Sequence, residues 1–86
     1  MMNHDQIIEK LRAALSLDDV RVYSDDGSHF QIIAVSDQFD EMSRVKRQQA
    51  VYAPLADDIA NNRIHALSIK TYNVAQWQRE KKLLGL

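Results

Sequence analysis

Residues 42–61 read Met42-Ser43-Arg44-Val45-Lys46-Arg47-Gln48-Gln49-Ala50-Val51-Tyr52-Ala53-Pro54-Leu55-Ala56-Asp57-Asp58-Ile59-Ala60-Asn61. Asn62 then leads into Arg63-Ile64-His65-Ala66-Leu67-Ser68-Ile69-Lys70. The first run has the spacing of a long amphipathic helix, and the second is a short, mostly apolar strand. Ser43 is the expected N-cap. Val45, Tyr52, Leu55 and Ile59, helped by Val51 and Ala56, form the expected inward stripe. Pro54 falls inside this pattern, where it removes a helix hydrogen bond and clashes with the carbonyl of residue 50, at a cost of about 3 kcal/mol. A kink and a junction between two helical pieces both accommodate it.

A strand over 64–70 needs partners. Upstream, Val20-Arg-Val-Tyr-Ser and Phe30-Gln-Ile-Ile-Ala-Val-Ser both alternate, and Asp25-Asp-Gly-Ser-His lies between them. Asp26-Gly27 supplies the positive φ of a tight reversal, so the two runs are expected to form an antiparallel hairpin. Phe30, Ile32 and Ala34 would face one way, with Ile33 and Val35 on the other side. In the third strand, His65, Leu67 and Ile69 would share a face opposite Ile64, Ala66 and Ser68. Phe39 is the expected buried anchor of the connection into the central helix.

Both ends of the chain read as helices. Asn3 and Gln6 have the spacing of a reciprocal cap, followed at helical period by Ile7, Ile8, Leu11, Ala14 and Leu15, which predicts a helix over 5–15. Asn73 and Gln76 repeat the cap and open a last helix to about residue 84, with Trp77 packed inward. The order α-β-β-α-β-α predicts one α+β domain over residues 1–86: a three-stranded mixed or antiparallel sheet with helices packed mainly on one face.

Composition narrows the chemistry. The 86 residues carry a net charge of -1, so nucleic-acid affinity would need a local patch of cations. There is no cysteine, which removes disulfides, thiol nucleophiles and any thiolate metal site held by this chain alone. No run approaches the ~20 apolar residues of a membrane span, and the first residues lack a secretory pattern, so a cytoplasmic protein is expected. The chain has only Gly27 and Gly85, hence no Gly-rich phosphate loop, and no nucleophile triad is legible, so no catalytic activity of its own is expected.

The acidic pairs, the histidines and the cations remain to be placed. The acidic pairs Asp18-Asp19, Asp25-Asp26 and Asp57-Asp58 read as solvated turn or helix-end acids. His4 is expected at a frayed terminus. His29, at the mouth of the hairpin loop, either bonds a strand-end carbonyl or presents a nitrogen to a metal or partner. His65, at the start of a strand expected to be buried, is either an ordinary core or edge histidine with a satisfied ring nitrogen or a ligand. Two imidazoles do not complete a four-coordinate site, so a metal reading implies ligands shared with a thiolate-bearing partner. Arg44, Lys46 and Arg47, with Arg63 further on, are the candidate surface for an acidic partner or a phosphate backbone. In a first turn these cations oppose the helix dipole, as Asp57 and Asp58 would at the far end, at about 0.3–1 kcal/mol each.

Taken together, Asp26-Gly-Ser-His-Phe, Val35-Ser with Phe39, Ser43-Arg-Val-Lys-Arg-Gln-Gln-Ala-Val-Tyr, and Arg63-Ile-His-Ala-Leu-Ser-Ile-Lys with Tyr72 and Trp77 resemble the BolA family over nearly the whole chain. The resemblance implies a class II KH-like fold without the Gly-x-x-Gly loop of nucleic-acid-binding KH domains. It also implies a non-enzymatic partnership with a cytoplasmic monothiol glutaredoxin around a shared [2Fe-2S] cluster, in assembly, trafficking or sensing, with a link to acid stress. In such complexes the glutaredoxin and its glutathione supply thiolates, and the histidine of the C-terminal strand, here His65, supplies a nitrogen. The isolated protein would then carry no cofactor. A second ligand usually comes from the loop between the first two strands. Asp26 stands near the position that bears cysteine in one branch, and the longer loop with an extra histidine is lacking, so that ligand lies between His29 and Asp26. Family members are also described as DNA-binding regulators, an activity that the basic helix would have to carry here. A metal-independent interaction module and a weak homodimer complete the expectations; no membrane partner is among them.

Overall fold

The computed structural model describes residues 2–86. Helix α1 (His4–Ala14) is followed by strands β1 (Asp19–Tyr23) and β2 (His29–Val35), a 3-10 turn (Asp37–Glu41) and helix α2 (Arg44–Tyr52). A second 3-10 turn (Ala53–Leu55), the short helix α3 (Ala56–Ala60), strand β3 (Ala66–Tyr72) and helix α4 (Val74–Leu83) complete the chain. The sheet order is β1-β2-β3, with β1 antiparallel and β3 parallel to β2. The sheet is therefore mixed. A parallel neighbour requires a long crossover, and the helical segment from Arg44 to Ala60 provides it.

Local signals fix most element ends. Asn3 and Gln6 form the reciprocal capping box of α1, and Asn73 and Gln76 form that of α4. Ser43 Oγ accepts from the Lys46 amide at 3.2 Å and starts α2. The hairpin pairs Val22 with Ile32 and Val20 with Ala34, and turns at Gly27 with φ 74°.

Alternation along β2 divides the core. Phe30, Ile32 and Ala34 join Val20, Val22, Ile7, Leu11, Val51, Leu55 and Ile64 in the main core. Ile33 and Val35 face the other way and are covered by Trp77 of α4, with Tyr72 and Val74 alongside. Trp77 is buried, donating from Nε1 to Asp19 Oδ2 at 3.1 Å. Phe39 is buried as expected.

Of the two outcomes open at Pro54, the chain takes the junction: α2 ends before it, and the Leu55 backbone (φ -108°, ψ 1°) leaves the helical region before α3 begins. Four expectations are corrected. With the helix broken, the inward stripe does not run through at one phase. Val51 and Leu55 are fully buried, whereas Val45 and Tyr52 are exposed. At about 100° per residue, Val45 and Tyr52 project to either side of Val51 rather than along it.

The break also changes the setting of the acidic pair. Asp57 and Asp58 lie in the first turn of α3, and Asp58 is buried rather than solvated. Its carboxylate accepts from Lys10 Nζ at 2.7 Å and from Arg63 Nε at 2.8 Å.

The third strand starts at Ala66 instead of Ile64. Asn62 adopts φ 60°, and the amides of Arg63 and Ile64 both donate to the Asp58 carbonyl. Residues to 64 therefore close the end of α3, and Ile64 turns into the core. Leu67 and Ile69 do pack on the main core, as the alternation implied. Finally, His4 is held in α1, its ring edge-on to Phe30 with centroids 5.8 Å apart.

Candidate functional site

His29 is the first residue of β2, and His65 immediately precedes β3. Parallel pairing sets His29 opposite Ala66, and the His65 amide donates to the Ser28 carbonyl at 2.8 Å. Backbone register alone thus brings both histidines to one end of the sheet. Their rings meet edge to face, with centroids 5.1 Å apart and planes at 66°. Both side chains are exposed.

The hairpin loop supplies the third member. Asp26 Oδ1 accepts from the amides of Ser28 at 2.8 Å and His29 at 2.9 Å, and the Gly27 amide donates to Ser24 Oγ at 2.8 Å. Asp26 Oδ2 lies 2.5 Å from His29 Nδ1. The His29 and Ser28 amides, followed by the His29 ring, hold the Asp26 carboxyl well below the usual carboxylate range. A surface pocket of about 360 Å³ opens beside this group, walled in part by Tyr23, Asp26, His29 and Ser68.

Of the expected residues, Asp26, His29 and His65 come together. Among the described residues, no cluster of three or more His, Cys, Asp or Glu is placed to enclose a metal ion. With metal–nitrogen bonds of about 2.0–2.1 Å, two rings on one tetrahedral centre would stand about 5 Å apart, and the His29–His65 centroid separation is of that size. The remaining positions would fall to groups outside this chain.

The cations divide. Arg44 and Lys46 are exposed at the start of α2, while Arg47 is half-buried and donates from Nε to the Met42 carbonyl at 3.1 Å. Arg44 and Arg47 border a groove between α2, β3 and α4, to which Lys70 and Arg79 add two more positive charges and Glu80 one negative charge. Arg63 lines a different depression, beside Lys10, where its guanidinium holds Asp58. Lys70 and Arg79 were missed because they join the groove from two other elements, a placement that no sequence spacing announces. On the same wall, burial raises the Tyr72 phenol, with the Glu80 charge adding to it. Asp58 is lowered despite the opposing effect of burial, because the Lys10 and Arg63 bonds outweigh it.

No helix among the described residues is long and apolar enough to cross a membrane. The family model "BolA-like protein" matches residues 9–76. The chain is 58% identical over 84 residues to the acid stress protein IbaG of Escherichia coli K12, covering 98% of this chain and 99% of that one. It is 31% identical over 87 residues to the DNA-binding transcriptional regulator BolA of the same organism, covering 91% and 82% respectively. Among solved structures, a Bol-like protein from Babesia bovis superposes with a TM-score of 0.78 at 26% identity, covering 94% of this chain and 95% of that one.

Proposed function

The chain belongs to the BolA-like protein family, and from that premise we propose that it is a non-enzymatic, cytoplasmic partner of a monothiol glutaredoxin in handling a [2Fe-2S] cluster. The cluster is cargo shared across the complex. His65, with His29 beside it, contributes nitrogen ligands, while the glutaredoxin and its glutathione contribute the thiolates this chain lacks. The observation that carries the reading is the exposed His29–His65 pair at one sheet end, too few donors to hold iron alone and rightly spaced to share it. An acid-stress setting is supported by the similarity to the acid stress protein.

The chain's own contribution is positional. Neutral imidazoles would place two lone pairs at an open end of the sheet, where a partner can approach without displacing core residues. Arg44, Lys46 and Arg47 would orient an acidic partner electrostatically. The test is to co-purify the protein with a monothiol glutaredoxin and record visible absorption before and after His65→Ala. Loss or a marked shift of the cluster bands is expected. An unchanged spectrum and unchanged complex yield would sink the proposal.

A second reading, DNA binding, is supported by the groove with Arg44, Arg47, Lys70 and Arg79 and by the regulator among the relatives. Duplex binding whose salt slope falls when those four cations are neutralised would favour it. Complex formation without metal and insensitive to His65 would instead favour a plain interaction module.

A further inference from the structure

We propose that Asp26 is a positioning residue that fixes the tautomer of His29, so that this imidazole presents the Nε2 lone pair, and not an N–H, as its ligating face. The two carboxylate oxygens divide the work. Oδ1 takes the amides of Ser28 and His29 and so closes the turn around Gly27. That closure aims Oδ2 at His29 Nδ1, at 2.5 Å. An ionised carboxylate only accepts, so Nδ1 must carry the hydrogen. A neutral imidazole has a single N–H, which leaves Nε2 with the lone pair.

The arrangement makes Asp26 a support and not a ligand, since both its oxygens are engaged by its own loop. His29 thereby acquires the carboxylate–histidine pairing that orients metal-bound imidazoles and raises their basicity. What Nε2 ligates rests on the function proposed above, but the tautomer itself does not.

Asp26→Asn separates the two jobs. Its amide oxygen can keep the two backbone bonds at the Oδ1 position, while its NH2 replaces Oδ2 and donates to Nδ1, forcing hydrogen onto Nε2. Long-range proton–nitrogen NMR on the isolated protein, at a pH where the ring is neutral, is expected to show Nδ1–H for His29 in the wild type. In Asp26→Asn it should show Nε2–H, with unchanged amide shifts in the hairpin. Titration with Zn²⁺ alone, followed on the same imidazole resonances, should weaken about 10–100-fold in the variant. Nε2–H in the wild type would overturn the proposal. So would Zn²⁺ leaving the wild-type His29 resonances unmoved, or binding Asp26→Asn equally well. Should His65→Ala leave the glutaredoxin complex unaltered while the tautomer inverts as stated, the function falls and the Asp26–His29 pairing stands.

Discussion

The imidazole of His65 rests edge-on against that of His29, although 35 residues of strand, turn, helix and loop intervene between them in the chain. Neither ring is part of the core, so their meeting owes nothing to hydrophobic burial. It follows from the strand register and from the Ser28 carbonyl, which accepts both the His65 and Ala66 amides.

Because His65 is exposed, His65→Ala should leave stability within about 0.5 kcal/mol of wild type. Urea denaturation of the isolated protein checks this, and it separates loss of a ligand from loss of fold in the cluster experiment.

Asp58 is expected to behave differently. Its buried carboxylate ties α1 to the segment that leads into β3 through Lys10 and Arg63. Asp58→Ala should lower unfolding free energy by about 1.5–3 kcal/mol, the range for hydrogen bonds to charged groups. The urea midpoint, at unchanged slope, is the measurement.

Acid should undo the same contact. Asp58 is lowered in the folded state, so its contribution is fully present above the ordinary carboxyl value of 3.8 and is lost as pH falls through the folded value below it. Asp26 has the same sign, its carboxyl being held down by loop amides. Carboxyl carbon NMR titrations of both groups should give midpoints below 3.8. The wild type should lose stability more steeply than Asp58→Ala across that low-pH window.

The break at Pro54 yields a paired comparison. Leu55 is fully buried behind it, and Leu55→Ala should cost about 2–5 kcal/mol. Val45, 64% exposed, would have been equally costly had the stripe run through; Val45→Ala should stay within about 0.5 kcal/mol. Thermal or urea unfolding of the two variants decides it.

A last variant probes the loop that holds the site. Gly27 sits at φ 74°, where a Cβ crowds the neighbouring carbonyl, so Gly27→Ala should cost about 1–2 kcal/mol. Chemical shifts of Asp26 and His29 should move with it, and those of Trp77 should not.

Where the sequence was legible, the signal was short-range. The capping boxes at Asn3 and Asn73, the Asp26-Gly27 turn and the alternation of Phe30 through Val35 all depend on residues a few places apart. What it hid was set by distant partners. Asp58 looked solvated because nothing near it in sequence announces Lys10, 48 positions away. Ile64 looked like a strand residue because its apolarity serves a core contact equally well, and the bonds that turn it inward belong to the end of α3. The phase of the central helix failed at the one residue, Pro54, whose two outcomes local spacing could not separate. Asp26, His29 and His65 were nameable singly, but their assembly depends on a register written in backbone amides.

The direction in which β3 runs has a geometric consequence. Because it travels alongside β2 in the same sense, both imidazoles emerge where their strands begin. Were that one strand reversed, the rings would stand about 20 Å apart, the length of seven extended residues, and no single ion could touch both. The detour through two helices and a proline is thus what lets a pair of nitrogens share an address.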